Sequence, residues 1–290
     1  MQQKLLYTYL MTSKILKIAL VGRTNAGKST LINKIVGEKI SIQNKKINTT
    51  QVTVKGIKNI RETQLIFYDT PGSNFLKSLN AQSKNLKTNL WSGIDDSDII
   101  LYLIDSKTAN SKFLFEQIIK LQEVKKKILI IFNKIDLISN KEILPLTSNL
   151  NKNFNIDSFF TISAKQNIGI EDLLNYIEKF SYASNWVFKD DEITNKDDVF
   201  IVGELLRETM LTYLHKEIPY NVNIQTSNFK TLRNNDIKIK QKIIIKQPRY
   251  KKIILGKKGE MIKKIREDSQ KKMSKIFNAK IHLYIEILNA

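Results

Sequence analysis

Two successive fold classes are predicted for this chain: an α/β domain on a doubly wound, mostly parallel sheet, then a smaller α+β module. Three observations predict them. Short, β-branched apolar runs alternate with helix-spaced segments from Ile15 to Ser181. A polar stretch, Ala183–Asp198, then fits neither the helical nor the strand period and is expected to be a linker. Beyond it the charge concentrates: Phe229–Lys280 holds 18 Lys or Arg against 4 Asp or Glu, a balance of +14 in a chain whose total is +20.

The elements follow in order. Ile15–Val21, Gln64–Tyr68, Ile99–Ile104, Ile128–Phe132 and Phe159–Ile162 are continuous apolar runs, as parallel strands covered on both faces should be. Lys112–Glu123, Lys141–Asn151 and Ile170–Ser181 carry helical spacing between them, and the alternation makes a doubly wound sheet. Val52–Ile60 alternates and suits an edge strand antiparallel to the next. After the linker come a helix (Val199–Lys216), a strand (Asn221–Thr226), a basic strand (Ile237–Gln247) and another strand (Tyr250–Leu255). A GKKG turn, a helix (Glu260–Phe277) and a final strand (Ile281–Leu288) complete the chain. The order is α-β-β-α-α-β if the two neighbouring strands are one bent element and the turn joins two helices. The expected divisions are 1–14 as an extension, 15–182 and 199–290 as domains, and 183–198 between them.

Composition narrows the chemistry. With 290 residues, 42% of them hydrophobic, the chain is long enough for two cores. It has no cysteine, which excludes disulfides, Cys-based zinc sites and thiol catalysis and fits a reducing compartment. His215 and His282 are too few for a His-based metal site and, lying among apolar residues, are expected to pack. No apolar run approaches the roughly 18–20 residues that span a bilayer. The first ten residues lack the apolar core of a cleaved signal and are expected to be a frayed end. A cytosolic protein is expected, with a polyanionic partner.

Residues 22–29 read GRTNAGKS directly after the first strand, the pattern of a phosphate-binding P-loop. Gly22 and Gly27 let the backbone curl so that N–H groups of Arg23, Thr24, Asn25 and Ala26 face phosphates. Lys28 reaches the β- and γ-phosphates, Ser29 coordinates Mg²⁺, and Thr30 continues into the helix whose positive end faces the anion. Three further motifs stand at strand ends in the expected order. In DTPG, Asp69, Thr70, Pro71 and Gly72, the carboxylate holds Mg²⁺ through water and Gly72 donates to the γ-phosphate. In NKID, Asp136 accepts from guanine N1–H and N2–H₂, donors that adenine lacks, while Asn133 and Lys134 brace the loop and cover the base. In SAK, Ser163, Ala164 and Lys165, the Ala164 N–H is expected to meet guanine O6. Together they specify a Ras-like P-loop fold that binds GTP and GDP, because an unpaired carboxylate would reject ATP.

Between the first two motifs, Thr50, with Thr49 in reserve, is expected to close over the γ-phosphate and Mg²⁺. Catalysis is assigned to Lys28, Thr50 and Gly72. Where some relatives carry a water-orienting Gln, this chain has Ser73, so hydrolysis is expected to be slow. The polar stretch Asn74–Asp98 is expected to be a mobile second switch.

These motifs, with NTTQ at 48–51 and later IPYNV and IILGKKG, make the chain resemble the Era family of bacterial ribosome-associated GTPases from about Ile15 to Leu288. The resemblance implies a cytoplasmic GTPase, peripherally associated with the inner face of the cell membrane, with a C-terminal type II KH domain; a monomer is expected. It implies binding to 16S rRNA near its 3′ end, assistance to 30S subunit maturation, and potassium-stimulated hydrolysis through Asn25. The chain departs from the family at Thr24, usually Pro, at Asn48–Gln51, usually Gln-Thr-Thr-Arg, and near Ser73, where an apolar residue is usual.

In the basic module Gly256 and Gly259 allow close backbone approach to a sugar–phosphate chain, and Lys257, Lys258 and Lys263 neutralise phosphates. Ile254, Leu255 and Ile262 are candidates for an apolar wall against bases, with plain core as their other reading. A tRNA-modifying GTPase is the nearest alternative, but that family carries a C-terminal cysteine that this chain lacks. A GTP-sensing RNA-binding adaptor without turnover is a second.

Overall fold

The computed structural model describes residues 13–41, 53–72, 81–109, 111–154, 156, 158–214 and 218–290. They form two compact units, the first running to Asn195 and the second beginning at Lys196.

The first unit starts with β1 (Lys14–Gly22) and α1 (Lys28–Val36), followed by the hairpin β2 (Val54–Ile60) and β3 (Thr63–Asp69). Then come α2 (Ala81–Asp95), β4 (Ile99–Asp105), α3 (Ser111–Gln122), β5 (Lys127–Asn133), α4 (Asn140–Asn153), β6 (Ser158–Ile162), α5 (Ile170–Glu178) and the short β7 (Tyr182–Ala183). The sheet order is β2-β3-β1-β4-β5-β6, with β7 paired to the start of β1. Every pair is parallel except β2 on β3 and β7 on β1. Leu16, Ile18 and Leu20 on β1 are buried, as are Ala19 and Val21 between them, so both sheet faces are covered and no alternation shows in the sequence.

The strands outrun their apolar cores at the C-terminal end. The ladder pairs Leu20 with Asp69, Gly22 with Leu103 and Asp105 with Asn133. Polar residues are thereby fixed along one edge of the sheet, flanking the point where the strand order reverses about β1, the usual ligand crevice of such folds.

Two expectations are corrected in this unit. Within 74–98, taken as a mobile switch, Ala81–Asp95 is a helix. Its C-terminal carbonyls, with that of Ser97, are tied by Lys126, whose Nζ donates to Ile94 O and Asp95 O at 2.6 Å each and to Ser97 O at 2.5 Å. The segment 183–198, expected as a linker, is bonded to the first unit as far as Asn195. Ser184 N–H donates to Ser13 O, and Ile57 N–H to Ile193 O at 2.8 Å. Lys55 N–H donates to Asn195 Oδ1, and the buried Gln64 amide accepts from Val187 and Phe188 N–H and donates to Phe188 O. The physical reason is the edge: β2 exposes a row of backbone groups that need partners, and this polar segment supplies them.

The second unit comprises α6 (Asp198–Tyr213), β8 (Val222–Thr231), β9 (Ile237–Ile245), α7 (Arg249–Leu255), α8 (Glu260–Phe277) and β10 (Ile281–Asn289). Its sheet runs β10-β9-β8, with β9 parallel to β10 and antiparallel to β8, which is bulged at Thr226–Asn228. One sheet face packs on the helices around Leu206, Met210, Ile239, Ile243, Ile265 and Met273. Tyr250–Leu255, expected as a strand, is helical. Pro248 stops the preceding strand and caps the new helix, whose Tyr250 and Ile254, four apart, are buried while Ile253 faces solvent. The order is thus α-β-β-α-α-β, with the GKKG turn between two helices. His282 does more than pack: its Nε2 lies 2.8 Å from Asp236 Oδ2, and this bond holds the Asp236 carboxyl below the usual carboxylate range. His215 lies outside the described residues.

Candidate functional site

The phosphate cradle grows from the end of β1. Gly27 adopts φ +99°, and a Cβ there would stand 2.1 Å from Asn133 Nδ2. Only glycine fits this approach of the loop to the strand beside it. Lys28 is 6% exposed, and its Nζ donates to Gly22 O at 3.0 Å and Arg23 O at 3.2 Å. Burial lowers its pKa to about 8, with Asp69 pulling the other way. Thr30 and Ser29 lie in the first turn of α1, and Ser29 Oγ donates to Asp69 Oδ2 at 2.7 Å.

Asp69 is fully buried at the end of β3. Its Oδ2 also accepts from Ser41 Oγ at 2.5 Å. Sequence reasoning missed Ser41 and the residue that places it, Asn33. The Asn33 amide accepts from Ile40 and Ser41 N–H at 2.9 Å and donates to Ser41 O at 2.7 Å. The available signal was an asparagine on the apolar side of α1, since a buried amide must find partners. Thr70 Oγ1 donates to Leu20 O at 2.6 Å, and Pro71 and Gly72 are buried. A Cβ on Gly72 would meet Thr24 Oγ1 at 2.4 Å, so the DTPG backbone lies directly against the P-loop.

Asn133 knits the base end together. Its Nδ2 donates to Ala26 O at 2.8 Å, and its Oδ1 accepts from Lys134 N–H at 2.8 Å and Ala164 N–H at 3.0 Å. Three motifs distant in sequence thus meet on one amide. The Ala164 N–H is thus held beside the P-loop by Asn133, and guanine O6 would share it. Lys134 Nζ bridges Asn25 O and Asp105 Oδ2, each at 2.7 Å. Its stem consequently lies over the P-loop. Asp136 is exposed in a single turn, and Ser163 Oγ donates to its Oδ1 at 2.6 Å. A carboxylate so oriented keeps acceptor capacity on both oxygens for a base edge. Lys165 is exposed beside it. Thr49, Thr50 and Ser73 lie outside the described residues.

A testable proton count follows from Lys28. A triphosphate bound beside it stabilises the ammonium, so nucleotide binding at pH 9 is expected to take up close to one proton. Titration calorimetry in two buffers of different ionisation enthalpy measures this, and a buffer-independent heat would contradict it. Because the folded pKa lies below the unfolded one, stability of the nucleotide-free protein should rise with pH from about 8 towards the ordinary lysine value.

In the second unit Gly256 (φ +72°) and Gly259 (φ +81°) bound the turn, with Lys258 also left-handed at +52°. A Cβ on Gly259 would meet nothing, so backbone is open to a ligand there, at the positive end of the 18-residue α8. Lys257, Lys258 and Lys263 are exposed. Ile254 is fully buried and is core, which removes it from the apolar wall; Leu255 and Ile262 are half-buried, and Ile253 is 41% exposed. The helical phase of α7, not a strand's, makes that exchange.

A family model described as a 50S ribosome-binding GTPase matches residues 17–134, and one described as a KH domain matches residues 217–289. GTPase Era of Agrobacterium fabrum is 35% identical over 92% of this chain and 84% of its own length. That of Rickettsia conorii is also 35% identical, over 94% and 79%. A crystal structure of Era in complex with MgGDPNP and nucleotides 1506–1542 of 16S ribosomal RNA aligns with a TM-score of 0.86 at 28% identity, covering 96% of this chain and 94% of that one. A point variant of Aquifex aeolicus Era bound to GDP·AlF4⁻ aligns at 0.88 with the same identity and coverage. With both domains matched in order and relatives aligned over most of their length, the chain belongs to the Era family of GTPases.

Proposed function

We propose that this GTPase uses its nucleotide state to govern binding to small-subunit rRNA near the 3′ end and so assists 30S maturation. The observation that carries the reading is the union, in one chain, of a guanine-reading Asp136 site with an open, basic Gly256–Gly259 turn. The related Era structure with 16S rRNA nucleotides supports the choice of RNA. Ser29 Oγ and the buried Asp69 carboxylate converge as hard oxygen donors, which suits Mg²⁺. Bound there, Mg²⁺ would neutralise charge on the β- and γ-phosphates. This chain's own groups supply the rest: Lys28 and the P-loop amides hold the phosphates, and Asn133 keeps the P-loop and base loop in register.

Residues 15–182 form the catalytic domain in this reading, and 199–290 the type II KH domain. Turnover is slow because Ser73 supplies no water-orienting amide. Thr50 closes the site, and Asn25 mediates stimulation by K⁺. Phosphate release measured in K⁺ and in Na⁺ tests the last point, and equal rates would remove it. No helix among the described residues is long and apolar enough to cross a membrane. Peripheral association in a cytoplasmic protein rests on charge, and sedimentation with anionic vesicles tests it.

Crosslinking followed by sequencing of bound RNA is the deciding experiment. Small-subunit rRNA 3′ fragments are expected, and a dominant tRNA signal would favour the tRNA-modifying alternative. Replacing Lys257 and Lys258 together by Gln should weaken RNA binding across sequences and lower the salt slope by about 1.4, at about 0.7 per phosphate contact.

A further inference from the structure

The KH sheet has a second face, turned away from the helices. On central strand β9 the odd positions Ile237, Ile239 and Ile243 are buried, and the even positions Lys238, Lys240 and Lys242 point outward. The ladder places Lys230 of β8 opposite Lys238, and Tyr284 of β10 beside Lys240. Tyr284 is 53% exposed, with Lys238 Nζ 5.6 Å from its ring centroid. The acid on this face is Glu286, beside Lys242; Asp236, at the rim, is engaged by His282.

One part of this arrangement is costly for the fold alone: Lys238 faces Lys230, whereas Lys240 faces Asn228 and Tyr284, and Lys242 faces Gln225 and Glu286. Like charges directly opposite on neighbouring strands repel. Lysines commonly protect sheet edges from pairing, but β9 is the central strand and has no edge to protect. Alternate residues on a strand stand about 6.8 Å apart, close to the separation of successive phosphates on an extended nucleic-acid backbone. An exposed ring beside such a row is a platform on which a base can stack.

We propose that this open sheet face is a second RNA surface, in which Lys238, Lys240 and Lys242 follow the backbone of a single strand and Tyr284 stacks one of its bases. It lies on the sheet face opposite the helices that carry the Gly256–Gly259 turn, and it extends the contact to RNA longer than the turn alone can clamp. The inference takes its class of partner from the RNA reading above. An acidic membrane is the less suited occupant, because the face offers one exposed aromatic ring and a half-buried pair, Ile244 and Leu288, rather than an exposed apolar cluster to insert.

The test uses the full chain with labelled single-stranded oligouridylates of about six and about 30 nucleotides, the shorter being little more than the roughly four that a KH turn clamps. Replacing Lys238, Lys240 and Lys242 by Gln should weaken binding of the long probe on the order of 10- to 100-fold near 0.1 M salt and reduce its salt slope by about 2. Six-nucleotide binding should stay within about twofold, and GTP hydrolysis should be unchanged. Tyr284→Ala should weaken the long probe about tenfold through lost stacking, with the slope preserved. If the triple variant melts early, Lys240→Gln alone should still lower the slope by about 0.7.

Unchanged long-probe affinity and slope would overturn the proposal. So would equal losses for both probes, or a loss confined to phosphatidylglycerol vesicles. If the Lys257 and Lys258 variant also binds the long probe as the unaltered chain does, the RNA reading of the turn fails separately.

Discussion

Lys28→Ala is expected to lower multiple-turnover GTP hydrolysis by about 10³-fold while leaving the nucleotide-free protein about as stable as before. The geometry separates the two effects. Without phosphate, the buried ammonium is held by the carbonyls of Gly22 and Arg23. Keeping it at a pKa of about 8 costs the fold about 3 kcal/mol in charge burial. Two hydrogen bonds from a charged donor return about 1.5–3 kcal/mol each, so truncation removes opposing contributions of similar size. A bound triphosphate reverses the balance, because its oxygens replace the carbonyls and its charge holds the proton on Lys28. Phosphate release with saturating GTP and a denaturant melt of the nucleotide-free variant measure the two quantities. Full turnover in the variant would remove Lys28 from catalysis, and a large loss of stability would mean that the P-loop cannot stand without it.

Asp136→Asn should weaken GTP binding by about 10⁴-fold and transfer preference to xanthosine triphosphate. The carboxylate offers acceptors to guanine N1–H and N2–H₂, whereas an asparagine turns one of them into a donor, which the xanthine 2-oxo group can satisfy. Ser163 sharpens the expectation, since its hydroxyl holds Asp136 Oδ1 at 2.6 Å and fixes the plane of the group. Competition binding with GTP, ATP and xanthosine triphosphate checks it. Unaltered guanine preference would show that the base is read elsewhere. The same measurement on Ser163→Ala should give a smaller loss, about tenfold, without any change of base.

Much of the first unit was legible because parallel strands buried on both faces leave uninterrupted apolar runs, and because the motif residues stand at their ends. Asp69 and Asn133 were readable as site residues for that reason. Ser41 was not, because its contact with Asp69 depends on Asn33 folding the chain back from α1. The tie between the Ala164 amide and Asn133, 31 residues earlier, was not legible either, because it depends on β5 and β6 lying side by side. The segment after α5 looked like a tether because polar residues without a period carry no sign of the β2 edge that they satisfy.

The sequence by itself determined the class of nucleotide, the order of the motifs and the basic character of the C-terminal module. These follow from local chemistry: which groups can donate or accept, and where charge is concentrated. Tertiary structure alone decided which side of Tyr250–Leu255 faces the core, and hence that Ile254 is packing while Ile253 is exposed. A run of three apolar residues, Ile253–Leu255, among lysines satisfies strand and helix equally well. The preceding proline and the surface offered by the sheet and helices around it select the helical phase. The lysines of β9 likewise became one face only when pairing with β8 and β10 fixed the register, because a one-residue slip would send every side chain to the other side.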